Sequence, residues 1–303
     1  MLMYVLESNG SSPGRQGFGM AINVAGQIQG SIGGGIMEHK FVEMARVMLR
    51  DATAGEQGFA QLKKQVHDKQ AANNQSGMIC SGDQTNFLYL VQATDATAIS
   101  ELLNSLEANR NGTLQLSSSG IGFSQDVPSA DYLFEHSSEE DWHYYEKTGY
   151  KQHLYIAGGG HCSLALSKMM SGMDFYIHVF DERINLNTMD QNHYAHEKQF
   201  INDYSELREL IPAGAHHYVV LMTFGYRTDD VAIRAIMDKD FKYFGVLGSK
   251  KKIEKMFSDY IAEGYSEERL QQIHAPIGLQ IHSQTPGEIA ISIAAQIIEI
   301  KNR

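Results

Sequence analysis

"HLYIAGGGHCSLALSKMMSGMDFYIHVFDER", residues 153–183, decides the fold. Four apolar or aromatic residues lead into three glycines, a helix-compatible run follows, and a second apolar strand ends at Asp181. Gly158, Gly160 and Ser163 lie on the G-x-G-x-x-G/A template, directly after a strand and opening a helix. Asp181 closes the next strand, 21 residues beyond Gly160, where a Rossmann site places an acid for a ribose hydroxyl. Arg183 follows at once. Such a crevice suits an adenine dinucleotide, S-adenosylmethionine or another phosphate-bearing molecule, with Gly158, Gly160, Asp181 and Arg183 as the candidate contacts.

Downstream, strand and helix patterns keep alternating. "HHYVVLMTF" and "YFGVLGS" read as strands, "TDDVAIRAIMDK" and "KKKIEKMFSDYIAEG" as helices. "TPGEIAISIAAQIIEIKNR" opens on a capping box, with Thr285 at the N-cap, Pro286 at N1 and Glu288 at N3. This alternation predicts a parallel sheet with helices on both faces over residues 151–303.

Upstream the pattern differs. "MYVLES", "FGMAINV" and "AGQIQGSIG" read as successive strands, and Ile36 to Asp51 as a helix. "TDATAISELLNSLEANRNG" is a helix, "TLQLSSSGIGFS" a hairpin and "DYLFEHS" a last strand. Residues 1–135 therefore form a mixed α/β domain. The polar and aromatic stretch 136–150 fits neither period and is expected to be a linker. The fold class is α/β, a mixed N-terminal domain followed by a Rossmann-like one.

Composition narrows the function. The chain has 303 residues, 43% hydrophobic, enough for two full cores. Two cysteines, Cys80 and Cys162, leave no disulfide framework and fit a reducing compartment. They also exclude a Cys₄ iron–sulfur centre. A formal net charge of −11 with no basic patch speaks against nucleic acid. Neither a leader pattern nor an apolar run of membrane-spanning length occurs, so a cytoplasmic location is expected. "HYAHE" puts His193 and His196 at i, i+3, on what would be an exposed polar helix. There is no G-x-S-x-G elbow, H-E-x-x-H helix or complete P-loop, which favours a carrier over a catalyst.

Residues 10–40, "GSSPGRQGFGMAINVAGQIQGSIGGGIMEHK", hold nine glycines, more than two tight turns require. With "MICSG" at 78–82, "LYIAGGGH", "VFDER", "YFGVLGSKKK" and "APIGLQIHSQTPGEIAISIAAQII", they cover nearly the whole chain in order. Together these segments resemble the XdhC/CoxI accessory proteins, which serve molybdenum hydroxylases such as xanthine dehydrogenase. The resemblance implies a protein that binds molybdenum cofactor (molybdopterin) and protects it while a cysteine desulfurase-type sulfurase exchanges an oxo ligand. It then delivers the cofactor to an apo xanthine dehydrogenase-type hydroxylase. A homo-oligomer is compatible with it.

On that resemblance, Gly33, Gly34 and Gly35 would clear a path to the cofactor at a helix N-terminus. Arg15 would hold its phosphate, and Glu38 would favour the helix dipole or bond a pterin edge. Cys80, in a Cys-Ser-Gly variant of the family's C-G-G, would contact molybdenum or assist sulfur exchange. Cys162, beside a helix start, is either a thiol of lowered pKa or a packing residue. The chain departs from the family at Phe224 and Gly225, where a histidine is expected, and at Gln296, where a glutamate is expected. The alternative function is an NAD(P)- or FAD-binding oxidoreductase built on the Gly158–Asp181 crevice.

Overall fold

Met3 and Val5 are buried at alternate positions of β1 (Leu2–Gly10), with Leu6 turned into a different core, as a pleated strand between two layers requires. The computed structural model describes residues 1–52, 60–66 and 82–303, which divide into two units, Met1–Gly149 and Tyr150–Arg303. Cys80 lies outside the described residues.

In the first unit β1 is the middle strand of an antiparallel sheet ordered β3-β2-β1-β5-β4. Its partners are β2 (Gly19–Ile22), β3 (Ile28–Gly30), β4 (Ala60–Val66) and β5 (Gly82–Tyr89). Helix α1 (Gly35–Ala52) carries Met37, Phe41, Ala45 and Leu49 at one-turn spacing, and these pack with Met3, Met20 and Leu88. After α2 (Ala96–Glu107) comes a second antiparallel sheet, ordered β7-β6-β9-β8. It comprises β6 (Gly112–Ser117), β7 (Gly120–Ser124), β8 (Tyr132–His136) and β9 (Trp142–Thr148). Its Leu114, Leu116, Trp142 and Tyr144 share a core with Leu6, Phe87 and Tyr89.

Strand β9 corrects the expected linker at 136–150. Trp142 and Tyr144 are buried and His143 is exposed, a two-residue alternation that places the aromatics inside the unit. Trp142 meets Phe87 edge-to-face at 4.9 Å.

The second unit has a five-stranded parallel sheet, ordered β12-β11-β10-β13-β14. The strands are β10 (Gln152–Ala157), β11 (Phe175–Asp181), β12 (Glu197–Phe200), β13 (Gly214–Leu221) and β14 (Phe241–Val246). Helices α3 (His161–Met170), α4 (Asn187–Gln191), α5 (Leu207–Leu210), α6 (Tyr226–Ile236), α7 (Lys250–Ala262), α8 (Glu267–Gln271) and α9 (Pro286–Lys301) surround it. Leu154, Ile156 and Val220 pack with Leu166 of α3 and Ile293 of α9, while Tyr155, Val219 and Leu221 pack with Ile233 of α6 and Met256 of α7. The sheet is thus covered on both faces, as the alternation predicts. The predicted capping box of α9 is present, with Thr285 accepting from the Glu288 N–H.

His193 and His196 do not share a helix. They stand in the turn before β12, where His196 Nδ1 accepts from the Ile177 N–H at 2.9 Å and its Nε2 lies 2.6 Å from the Tyr150 hydroxyl.

Candidate functional site

Order reverses between β10 and β13: the chain proceeds from β10 to one side of the sheet and later returns to the other. In doubly wound sheets ligands bind at the carboxyl ends of the strands at this switch point. The Gly158–Gly160 turn lies there. Gly158 has φ +106°, and a Cβ on it would run into the Met222 carbonyl at the end of β13. That glycine is required by the neighbouring strand. Gly160 is the N-cap of α3, and nothing lies within 4 Å of where its Cβ would be.

Asp181 is not presented as a free acceptor for a ribose. Its wholly buried carboxylate receives the Gly159 N–H at 2.6 Å, Arg183 Nε at 2.8 Å and Arg183 Nη2 at 2.7 Å. Burial alone pushes its pKa up, but the bonds from Arg183 and Gly159 outweigh this and hold it below the usual aspartate range. The outer face of the pair is Arg183, whose guanidinium lies 5.5 Å from the centre of the Phe224 ring.

A second ion pair supports the same edge. Asp229, buried in the first turn of α6, accepts from the Thr223 hydroxyl at 2.6 Å and from Lys252 of α7. Thr223 and Thr228 hydroxyls lie 2.6 Å apart, and the Gly225 N–H donates to Thr228 at 3.1 Å. These bonds fix the Thr223–Gly225 loop. Lys252 stands in a run of three lysines, 250–252, and nothing in that run marks it as the partner of Asp229.

Cys162 is half-buried among apolar neighbours, and burial pushes its thiol pKa up. The helix start does not activate it.

In the first unit the glycine-rich segments form two loops locked to one another. A Cβ at Gly33 would strike the backbone of Gly14, whereas nothing lies within 4 Å of one at Gly34. Glu38 reaches back from α1: its Oε2 accepts from the Ser31 hydroxyl at 2.7 Å, the Ile32 N–H at 2.9 Å and the Gly34 N–H at 3.0 Å. Burial raises its pKa, and those three bonds lower it further than burial raises it. Two amides of the glycine-rich helix start, those of Ile32 and Gly34, are therefore held by the protein's own carboxylate. Gly35 opens α1 with φ +69°. Arg15 is exposed and donates to the Gly10 carbonyl at 3.1 Å.

Sequence reasoning missed Gln84. Fully buried, it accepts from Ser12 Oγ at 2.7 Å and the Gly14 N–H at 3.3 Å, and donates to the Ile32 carbonyl at 3.2 Å and Asn86 Oδ1 at 2.8 Å. It also missed a histidine layer on the parallel sheet. His153 Nδ1 lies 3.2 Å from His178 Nε2, His178 Nδ1 lies 3.0 Å from Glu197, and His217 Nδ1 lies 3.1 Å from the Tyr155 hydroxyl. The signal was alternation: residues 153, 178 and 217 share their face with Tyr155, Phe180 and Val219.

Residues 1–59 match the XdhC and CoxI family, and residues 154–297 match the XdhC Rossmann domain. The chain belongs to the XdhC/CoxI family. The XdhC/CoxI chain is 26% identical over 157 residues to the uncharacterized protein YqeB of Escherichia coli, covering 51% of this chain and 28% of that one. It is 25% identical over 159 residues to a probable xanthine dehydrogenase component of Bacillus subtilis, covering 50% of this chain and 44% of that one. The matches thus span less than half the length of these relatives. A solved structure from Bacillus halodurans, named a xanthine dehydrogenase, superposes with a TM-score of 0.70 over 99% of this chain and 91% of that one. At 23% identity it shows the shared fold of this XdhC/CoxI chain. No helix among the described residues is long and apolar enough to cross a membrane.

Proposed function

We propose that this chain is a maturation factor for a molybdenum hydroxylase of the xanthine dehydrogenase type. It holds molybdenum cofactor during sulfuration by a cysteine desulfurase-type sulfurase and passes it to the apo-enzyme. One observation carries the reading: at the switch point of the Rossmann unit, a cation (Arg183) stands with two glycine-capped helix starts, at Gly160 and Gly225, that have open space beside them. Helix starts and a guanidinium suit a phosphate. The wholly buried Ser163 hydroxyl, in the first turn of α3, has no hydrogen-bond partner among the described residues. The residues present therefore fit a phosphorylated cofactor. When bound, the cofactor would supply the molybdenum on which the client's hydroxylation depends; Arg183 and the two helix starts would hold its phosphate.

An NAD(P)- or FAD-dependent oxidoreductase is less well supported. Its ribose-binding acid would be Asp181, and that carboxylate is committed to Arg183 and Gly159.

The test is transfer. Purified protein is incubated with cofactor released from a molybdenum hydroxylase, desalted, and assayed for molybdenum and pterin fluorescence, then mixed with apo-hydroxylase. Near-stoichiometric retention followed by loss of pterin to the apo-enzyme is expected. Folded protein that retains no pterin overturns the reading.

A further inference from the structure

Among the described residues, three large apolar side chains are more than 70% exposed: Val24 at 75%, Ile184 at 73% and Phe224 at 77%. Single exposed apolar residues are ordinary. Two of these three, however, stand at one strand edge, Ile184 next to Arg183 after β11 and Phe224 after β13. Since β10 lies between those strands, the Arg183–Phe224 contact crosses the end of β10, where the Gly158–Gly160 turn sits.

The contact is held from both sides. Arg183 is fixed by its two bonds to buried Asp181, and Nη1 has no hydrogen-bond partner among the described residues. The backbone on either side of Phe224 is fixed through the Thr223–Thr228–Asp229 bonds, Lys252 and the Gly225 N–H. The backbone thus keeps an aromatic ring outside every core, with a guanidinium against it. A flat ring and a fixed cation together recognise a flat heterocycle that carries an anion.

We infer that Phe224 and Arg183 form a stacking platform for the ring of a phosphorylated fused heterocycle, whose phosphate lies at the open starts of α3 and α6. The inference deepens the reading of this chain as a cofactor carrier and rests on it only for the pterin as the natural ring. A purine nucleotide shares the chemistry, and guanine shares the amino-oxo-pyrimidine edge of a pterin.

The experiment is equilibrium dialysis of the whole chain with four probes: guanosine monophosphate, guanosine, inorganic phosphate and released molybdopterin. Wild type is compared with Phe224→Leu, which keeps an apolar side chain and lies outside the cores, and with Arg183→Lys, which keeps the charge on Asp181. Binding of a phosphorylated ring at least tenfold tighter than guanosine or phosphate alone, weakened about tenfold by Phe224→Leu, is expected. Arg183→Lys should weaken the phosphorylated ring more than guanosine. The platform is overturned if wild type binds neither phosphorylated ring, or if Phe224→Leu binds like wild type. Molybdopterin binding that ignores Phe224 would sink the platform and leave the carrier reading standing. Phe224-dependent binding of guanosine monophosphate without molybdopterin would do the reverse.

Discussion

Lys252, in the first turn of α7, pairs with Asp229, in the first turn of α6, and the carboxylate it meets has no exposure to solvent. Two helix starts that flank different strands are thereby tied at the edge where the sheet presents its loops. Removing one partner of such a pair strands the other charge in a low-dielectric site.

Lys252→Met should lower the stability of the Rossmann unit by about 3 kcal/mol. The double variant Lys252→Met with Asp229→Asn should recover more than half of the loss, because the stranded charge is gone. Calorimetric unfolding of the three proteins checks this. Equal losses in the single and double variants would mean that the pair contributes through packing alone.

Gly33 and Gly34 should respond differently to alanine. Both have φ in the left-handed region, +122° and +73°. At Gly34, close to the left-handed α basin, that conformation costs an L residue about 1–2 kcal/mol, and Gly33 lies further from any basin open to an L residue. Only at Gly33 would the new methyl also meet the backbone of Gly14. Gly34→Ala is therefore expected to fold with a modest loss, and Gly33→Ala to lose at least twice as much or to be insoluble. Similar thermal midpoints for the two would refute the loop-on-loop packing.

Glu38→Gln tests the carboxylate clamp on the Ile32 and Gly34 amides. A carboxyl whose folded pKa lies below its unfolded value contributes stability above the unfolded value and loses it as pH falls through the folded one. The folded pKa of Glu38 is lowered. The wild-type advantage over Glu38→Gln should be present at pH 7, about 1 kcal/mol by analogy with helix caps, and be smaller at an acid pH below the ordinary glutamate range. Urea unfolding at the two pH values measures it. An advantage independent of pH would place the effect on shape instead of charge.

His217 gives the opposite end of the molecule's acid response. Burial, then the neighbouring His153 and His216, push its pKa down to about 4. A histidine with a depressed folded pKa stabilises the fold above its unfolded value near 6.5, and that stability drains as pH falls toward 4. His217 also meets the Tyr155 hydroxyl, and His178, further along the same layer, is likewise pushed below the ordinary histidine range, chiefly by burial. The thermal midpoint should fall between pH 7 and 5, and His217→Phe should flatten that slope by about one proton's worth. An unchanged slope would exclude His217 as the titrating group.

The Rossmann unit was legible because its signals are local. Strand period, glycine turn, helix start and an acid at the next strand end all fall within residues 153–183, and the structure keeps every element there. What the acid does was not legible: the Asp181–Arg183 pairing depends on a turn that brings Arg183 back onto the carboxylate, and spacing alone reads as a ribose contact. The stretch 136–150 reads as a linker in sequence because His143 and Tyr145 blur the alternation of Trp142 and Tyr144. Gln84 gave no signal at all, since a lone glutamine in a strand looks like any solvent-facing polar residue. Its partners come from positions 12, 14 and 32, and only the folded chain makes them neighbours.

Gln84 also constrains how this protein can change. Its carbonyl serves one glycine loop and its amide the other, so neither a carboxylate nor a methionine can take its place. A glutamate carboxylate lacks the donor for Ile32, and a methionine lacks that donor and accepts only weakly. The two loops are consequently co-registered by a single side chain. An insertion in 10–17 or in 30–35 would shift one set of partners and leave the other behind, so length variation in either loop should be tolerated only when the other varies with it.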